Sequence, residues 1–207
     1  MIRPRRTVLS LLAFGVACTI ARPVFANKLL TPRQMLGPFY PDIIPLDKDN
    51  DLTTVTGQNR IALGEITHLT GRVITPRGRP IVGAQIEIWQ CDAFGYYNHP
   101  RDGGGKDRAF QGYGQTRSGS DGEYRFKTIR PVLYPGRAPH IHMRIVTKTA
   151  KLVTQIYVEG EQLNKSDFIL NSTRDIEARN SLIVAFVTKP GYPSDELVAE
   201  FNPVLAI

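Results

Sequence analysis

The sequence is poor in the residues that cross-link small exported proteins. Only two of its 207 residues are cysteine, Cys18 and Cys91, and only one is tryptophan. Cys18 lies in an N-terminal segment that we predict to be removed, so Cys91 remains without a partner for an intramolecular disulfide. Some 181 residues follow that segment, which is enough for one domain stabilised by packing.

Acidic side chains are absent from the first 26 residues, which carry four arginines and an apolar run from Val8 to Ile20. This pattern is typical of an export signal, and it is too short and too rich in small polar residues to predict a membrane span. The pair Arg5-Arg6 favours a twin-arginine signal cleaved after Ala26. A general secretory signal and a lipoprotein modified at Cys18 are the alternatives. We expect an exported protein, periplasmic or extracellular, with no stable membrane span.

The charge excess of the chain lies largely in that segment. Without it, Lys and Arg fall from 26 to 22 while Asp and Glu stay at 19, so the formal charge falls from +7 to +3. The remaining chain also lacks a basic run with interleaved aromatic residues. Nucleic acid is therefore not expected as a partner.

Long helical periodicity is nearly absent. From residue 65 onward, short alternating apolar segments are separated by Gly, Pro and Asp turns, which predicts an all-β fold, a two-sheet β-sandwich of the transthyretin (prealbumin) type over residues 65–207. One short helix is expected at about 173–180, after a cap at Ser172 or Thr173. The predicted strands cover residues 67–75, 84–91, 112–117, 123–129, 140–147, 152–158, 182–187 and 197–204.

Residues 27–64 lack any regular apolar pattern and contain four prolines. Disorder is the common outcome for such a segment, but its apolar side chains give it surface with which to dock. We therefore predict an irregular N-terminal arm laid over the sandwich, on this protein or on a neighbouring subunit of a homo-oligomer. The apolar residues expected to dock it are Leu36, Phe39, Tyr40, Ile43 and Ile44.

Two of the four histidines are spaced for metal binding. His140 and His142 are two residues apart in a predicted strand, so both imidazoles point to one face. Ile141, Met143 and Ile145 form the opposite face, which we expect in the core. A solvated strand face is the commoner reason for such a pair. The metal site of cupins needs a Glu shortly downstream, and none occurs in the next residues.

Tyr134 precedes His140 by six residues, and the prolines and glycine between them predict an irregular connection that can return the phenol toward the imidazoles. A phenolate is a hard anionic donor and imidazole a borderline one, so together they suit an oxidised first-row metal, first of all Fe(III), better than structural zinc. A copper or zinc hydrolase that uses His99 together with His140 and His142 is an alternative.

Several short motifs make the pattern more specific. They are, in chain order, Gly37-Pro-Phe-Tyr40-Pro, Leu69-Thr-Gly-Arg-Val, Ile88-Trp89-Gln90, Gly95-Tyr96-Tyr97, Tyr134, Arg137-x-x-His140-x-His142 and Thr154-Gln155-Ile156-Tyr157. With these motifs the chain resembles the intradiol ring-cleaving dioxygenases, nearest their protocatechuate 3,4-dioxygenase-like members, over about residues 31–205. The Arg-x-x-His-x-His element with its upstream tyrosine is the specific part of the resemblance.

The resemblance implies a set of four ligands for non-haem Fe(III). Tyr134 and His142 are the expected axial ligands, and Tyr97 and His140 the equatorial ones. Tyr96 competes with Tyr97 for its role, but in an extended segment it faces the other way. Two tyrosinates place negative charge on the iron and favour its ferric state.

The resemblance also implies a reaction: O2 cleaves the ring of a catechol between its two hydroxylated carbons and gives a muconate-type dicarboxylic acid. Tyr134 is then expected to take a substrate proton, Arg137 to stabilise charge on the ring, and Gln155 to hold Arg137 or a ligand in place. The Arg-Ala-Pro order after position 136 departs from the more frequent Arg-Pro-Ala but keeps the spacing.

The substrate pocket is less well defined by the sequence. Its predicted walls are Pro38, Phe39 and Tyr40 of the arm, together with the loop at 98–111. A non-enzymatic, transthyretin-like binding module shares the strand pattern and is the alternative function. That alternative does not require the tyrosines and histidines to converge.

Overall fold

Alternating apolar residues build nine short strands in the computed structural model, which describes residues 27–207. The predicted export signal lies outside the described residues. The strands are β1 Ile66–Arg72, β2 Gln85–Trp89, β3 Tyr113–Arg117, β4 Glu123–Ile129, β5 His140–Val146, β6 Lys151–Val158, β7 Ile183–Val184, β8 Phe186–Val187 and β9 Leu197–Glu200.

Two sheets result, a four-stranded one in the order β4-β1-β9-β8 and a five-stranded one in the order β3-β2-β5-β6-β7. Most neighbours are antiparallel, but β1 pairs with β9 and β6 with β7 in parallel. The all-β, two-sheet prediction with little helix is confirmed. Its transthyretin-like subtype stays a prediction.

The apolar faces of both sheets meet in one core. Leu69 and Phe126 enter it from the four-stranded sheet, and Ile141, Met143 and Ile145 from β5, all fully buried. Because side chains alternate along a strand, His140 and His142 lie on the outer face of the five-stranded sheet. The predicted division of β5 into a core face and a histidine face is therefore confirmed.

Of the eight predicted strands only 123–129 has the observed bounds; five others differ by one to three residues at an end, and the remaining two differ more. The segment predicted as one strand at 182–187 is split at Ala185, because the chain passes from the five-stranded sheet in β7 to the four-stranded sheet in β8. The last strand ends at Glu200 instead of 204. Pro203 follows, and proline has no N–H to continue a strand ladder.

The helix prediction is also corrected. A 3₁₀ helix at Gln162–Lys165 is followed by two short α-helices, α1 at Phe168–Ser172 and α2 at Ile176–Asn180. The caps are aspartates: Asp167 accepts from two N–H groups of α1, and Asp175 accepts from one of α2. Ser172 and Thr173 do not act as N-caps. No helix within residues 27–207 is long and apolar enough to cross a membrane.

Residues 27–64 contain neither helix nor named strand, but backbone hydrogen bonds attach them to the sandwich. The Gln34 N–H donates to the Val153 carbonyl at 2.8 Å. Phe39 and Tyr40 pack against an aromatic cluster on the outer face of the five-stranded sheet. Docking through Ile43 is wrong, because that side chain is 87 % exposed.

Candidate metal centre

The outer face of the five-stranded sheet gathers four aromatic side chains around one point. The Nε2 atoms of His140 and His142 lie 3.2 Å apart. The Tyr134 ring lies 5.5 Å from that of His140, and the Tyr97 ring lies 6.1 Å from that of His142. The two tyrosine rings are 5.5 Å apart. All four predicted ligands therefore converge.

Each side chain is placed by its own element. His140 and His142 occupy alternate positions of β5, and Trp89, the cross-strand partner of His142, stacks on its ring at 4.8 Å. Tyr97 follows β2 in a loop that is held by the Asp102 carboxylate, which accepts from the Tyr97 N–H. Tyr134 lies in a tight turn, since the Arg137 N–H donates to its carbonyl.

His140 presents a lone pair to the centre. The His140 Nδ1 lies 2.6 Å from the Ala138 carbonyl, which requires a proton on Nδ1 and leaves Nε2 as an acceptor. Burial, with a smaller contribution from Arg137, lowers the pKa of His140 to about 3. Burial and the neighbouring His140 lower the pKa of His142 well below its ordinary value. Both imidazoles are therefore neutral, as metal ligation requires.

The Tyr97 hydroxyl lacks the hydrogen-bond partner that a buried polar group normally has. The Tyr97 hydroxyl is buried without a hydrogen bond, and burial raises its pKa well above 10. Burial raises the pKa of Tyr134 too, although the Arg137 guanidinium opposes the rise. An unsatisfied buried hydroxyl costs about 1–3 kcal/mol, and a cation offsets that cost by binding the phenolate. Two neutral imidazoles and two phenols, one of them without a hydrogen-bond partner, fit Fe(III).

Tyr96 and Tyr97 point in different directions, as their alternation predicts. Tyr97 is buried, whereas Tyr96 is exposed. The alternative site with His99 is contradicted. Within residues 27–207, no three His, Cys, Asp or Glu side chains are grouped for one ion. His99 turns instead to Asp42, whose Oδ2 lies 3.5 Å from its Nε2.

Arg137 is buried beside the four rings. Its Nη1 donates to the Tyr134 hydroxyl at 3.3 Å, and its Nη2 donates to Gln155 Oε1 at 2.6 Å. Its Nε donates to Asp167 Oδ2 at 2.8 Å. The ring of Phe168 lies 5.5 Å from the guanidinium carbon. The orientation of the guanidinium is thus fixed, and its Nη1 faces Tyr134, a predicted metal ligand.

The predicted pocket residues of the arm behave differently from one another. The Phe39 ring stacks on Tyr97 at 4.5 Å and lies edge-on to Tyr134 at 6.4 Å, so it borders the centre. The Tyr40 hydroxyl instead donates to Glu87, and this side chain anchors the arm. For Pro38 the expectation of substrate contact stays a prediction.

A family model described as Dioxygenase matches residues 35–206, which is most of the chain. The chain belongs to the intradiol ring-cleavage dioxygenase family. Members of the family are oxidoreductases, so the alternative of a non-enzymatic binding module is contradicted. The convergence of the tyrosines and histidines also disagrees with that alternative.

Relatives of the intradiol dioxygenase chain include the protocatechuate 3,4-dioxygenase beta chain of Burkholderia cepacia. It is 36 % identical over 186 residues, which are 84 % of this chain and 78 % of the relative. A hydroxyquinol 1,2-dioxygenase of Corynebacterium glutamicum is 29 % identical and covers 86 % of this chain. The chain spans 61 % of that protein's length, and 37 % of the length of catechol 1,2-dioxygenase 1 from Acinetobacter lwoffii.

Solved structures share the fold. The dioxygenase domain of a dioxygenase and carbohydrate-binding protein fusion from Streptomyces sp. SirexAA-E superposes with a TM-score of 0.65 at 27 % identity, covering 86 % of this chain and 99 % of that domain. A catechol 1,2-dioxygenase from Acinetobacter sp. ADP1 has a TM-score of 0.63 at 24 % identity, covering 84 % of this chain and 62 % of that one.

Two side chains beside the candidate metal centre have no role that the sequence predicts. Asp167 pairs with Arg137 and also accepts from the Ala138 N–H at 2.9 Å. The Tyr157 hydroxyl donates to Gln155 Oε1 at 3.1 Å. The only sequence signal for Asp167 is its place before the apolar run Phe-Ile-Leu, which is typical of a helix cap and carries no hint of an arginine 30 residues away.

Proposed function

We propose that the protein is an Fe(III)-dependent intradiol dioxygenase that cleaves a catechol between its two hydroxylated carbons. Both atoms of O2 enter the product, a muconate-type dicarboxylic acid. The observation that carries the proposal is the convergence of two tyrosines and two histidines beside one buried arginine. The names of the relatives, which include protocatechuate, catechol and hydroxyquinol dioxygenases, support this substrate class.

The proposed ligands are Tyr97, Tyr134, His140 and His142. Fe(III) bound there would hold both oxygens of the catechol and withdraw electron density from its ring. The unsatisfied Tyr97 hydroxyl and the two facing Nε2 atoms support this donor set. Two phenolates and two neutral imidazoles carry a charge of −2, which favours the trivalent cation over a divalent one.

Tyr134 is the ligand suited to proton transfer. A catechol that binds as a dianion loses two hydroxyl protons, and we propose that the Tyr134 phenolate oxygen accepts one of them and that solvent accepts the other. Tyr134 is half-buried, whereas Tyr97 is buried, so Tyr134 is the phenol with room to move. The Arg137 guanidinium at 3.3 Å is placed to hold the resulting phenol by a hydrogen bond.

Arg137 is proposed to stabilise the negative charge that develops on the ring when it reacts with O2. A guanidinium stays cationic at any working pH and is effective in a site from which water is excluded. Its buried contacts with Asp167 and Gln155 keep the donors aimed at the centre. Gln155 therefore positions Arg137 and does not itself bind iron.

The test is to load the purified protein with iron and measure visible absorption, oxygen uptake and product spectra. The substrates are catechol, protocatechuate, hydroxyquinol and substituted catechols. A red-brown charge-transfer band and stoichiometric uptake of O2 with one of them are expected. Protein that stays colourless and inactive after iron loading overturns the proposal.

Two variants test whether the charge-transfer band arises from Tyr134. Tyr134→Phe removes one proposed phenolate and is expected to shift the charge-transfer band. Tyr192→Phe, a matched control whose ring contacts His68 at 4.7 Å in the four-stranded sheet, is expected to leave the band unchanged. Identical spectra for both variants remove Tyr134 from the ligand set.

We further propose that the protein is exported through a twin-arginine signal, which transports folded proteins and so allows a metal to be loaded beforehand. The arginine pair at positions 5 and 6 supports this proposal. N-terminal sequencing of secreted protein is expected to begin at Asn27. Replacing both arginines with lysine is expected to keep the precursor inside the cell, and unimpaired export of that variant overturns the route.

A further inference from the structure

A buried ion pair lies beside the metal centre and has no part in the proposed chemistry. Glu87 of β2 and Arg144 of β5 are cross-strand partners, two positions along from the stacked pair Trp89 and His142. Glu87 is buried, and its Oε1 accepts from Arg144 Nη1 at 2.6 Å. Both pairs share the outer face of the five-stranded sheet because side chains alternate along each strand.

The second carboxylate oxygen of Glu87 holds the arm. Glu87 Oε2 accepts from the Tyr40 hydroxyl at 2.8 Å. The Tyr40 ring lies 5.8 Å from the guanidinium carbon of Arg144 and edge-on to Trp89 at 5.0 Å. Hydrogen bonds to a charged group are about twice as strong as neutral ones. Tyr40 is therefore the firmest attachment of this part of the arm.

The residues just before Tyr40 touch two of the proposed ligands. A Cβ atom added to Gly37, which has a positive φ of 79°, would lie 3.2 Å from His142 Cε1, so the arm backbone rests against that imidazole. Phe39 stacks on Tyr97 at 4.5 Å. The arm segment 37–40 and the Trp89 ring thus both contact His142, and Phe39 covers Tyr97.

We propose that Tyr40 and Glu87 are positioning residues that clamp the arm segment 37–40 onto His142 and Tyr97 and thereby slow the release of iron. The segment forms no strand and follows the sheet by side-chain contacts, so loss of its anchor frees the residues that cover the ligands. The part of the inference that concerns iron release rests on the proposed function. The attachment of the arm through Tyr40 and Glu87 does not depend on that function.

The clamp is tested first in metal-free protein. Trp89 is the only tryptophan of the chain, and it is buried between His142 and the Tyr40 ring that contacts it, so its fluorescence reports on the region that this segment covers. Tyr40→Phe deletes one hydroxyl and keeps the ring. It is expected to increase quenching of Trp89 by acrylamide, because the covering segment opens more often.

The matched control is Tyr124→Phe. The Tyr124 hydroxyl is also buried and donates to the Phe201 carbonyl at 2.7 Å, but it belongs to the four-stranded sheet. This variant also loses one tyrosine hydrogen bond, but in the other sheet, and is expected to leave Trp89 quenching unchanged. Equal quenching of Tyr40→Phe and wild type, or the same increase in both variants, overturns the clamp.

Iron release is measured in loaded protein by mixing with excess chelator and following the visible band. Tyr40→Phe is expected to release iron about tenfold faster than wild type, in the range typical for groups that support metal ligands. Glu87→Gln is expected to change the rate in the same direction, and Tyr124→Phe to leave it unchanged. Release from Tyr40→Phe at the wild-type rate overturns the inference.

The two measurements separate this inference from the proposed function. If wild-type protein takes up no iron, the proposed function fails, and the quenching of Trp89 still decides whether the clamp exists. If wild-type protein binds iron and Tyr40→Phe matches it in quenching and release, the proposed function stands and the clamp fails.

Discussion

Arg137 shows how one side chain is fixed by several hydrogen bonds. Its guanidinium donates to Asp167, Gln155 and the Tyr134 hydroxyl, each through a different nitrogen or edge. Only a planar cation with several fixed donors can make all these bonds at once. Position 137 therefore requires the planar set of donors of arginine, and a positive charge alone is not enough.

Arg137→Lys is expected to lower kcat about 100-fold, the loss typical of removing one preorganised donor to a developing charge. A lysine keeps the charge but cannot reach Asp167, Gln155 and Tyr134 together. The charge-transfer band of iron-loaded protein should persist because the four ligands are intact. Oxygen uptake under saturating substrate measures the change in kcat, and visible absorption shows whether the charge-transfer band persists.

Arg130→Lys is the control for that experiment. Arg130 donates to Glu161 at 2.6 Å, so the variant disturbs an arginine ion pair elsewhere on the molecule. Its kcat is expected to equal that of wild type. Near-wild-type turnover by Arg137→Lys would contradict the role of the guanidinium.

The site residues differ in how far the sequence could reveal them. His140 and His142 could be paired from their spacing, because strand alternation is local. The partnership of Asp167 with Arg137 could not, because it arises only when α1 packs against the turn before β5. Short motifs record contacts within a strand or turn, and contacts between distant elements leave no such pattern.

At the scale of elements, strands with one buried face were predictable and the short helices were not. β4 was predicted at its observed bounds, since apolar and polar residues alternate along it. α1 and α2 have five residues each, too few for helical periodicity to show. Their formation depends on aspartate caps and on tertiary packing.

The arm is joined to the loop at 98–111 through the buried carboxylate of Asp107. Its oxygens accept from the side chain of Arg60 and from the N–H groups of Leu63 and Ala109, each N–H at 2.9 Å. Burial alone would raise the pKa of Asp107, but the hydrogen bonds from Arg60, Leu63 and Ala109 outweigh it and hold the pKa below its ordinary value.

Asp107→Asn is expected to lower the free energy of unfolding by about 1–3 kcal/mol at pH 7. Because the pKa is lower in the folded than in the unfolded protein, the carboxylate stabilises the fold above about pH 3.9, and this contribution is lost as the pH falls through the lowered folded-state pKa. The difference between wild type and variant should therefore shrink below pH 4, as urea unfolding at a series of pH values would measure.

Asp121→Asn is the control, because the Asp121 side chain is 69 % exposed. Its unfolding free energy is expected to stay close to that of wild type at each pH. A difference between wild type and Asp107→Asn that is the same at pH 7 and pH 3 would contradict the ionic part of the argument.

At the scale of the whole molecule, the proposed metal centre lies where the arm meets the sandwich. The sandwich supplies all four proposed ligands, and the arm covers them from outside through Gly37 and Phe39. The apolar core is on the other side of the five-stranded sheet. Iron at this centre would bind the folded chain but not the unfolded one, so it should stabilise the arm and the sandwich together.

Removal of iron is therefore expected to lower the Tm by about 10 °C. Ligand present at about 1,000 times its Kd stabilises a fold by about 4 kcal/mol, and about 1 kcal/mol shifts the Tm of a domain of this size by about 2–4 °C. Differential scanning calorimetry of iron-loaded and metal-free wild type measures the shift. His142→Ala should lose this iron-dependent shift in Tm. His68→Ala is the control: it removes an imidazole of β1 that contacts Glu196, and it should keep the shift. An equal loss of the shift in both variants would contradict stabilisation through this centre.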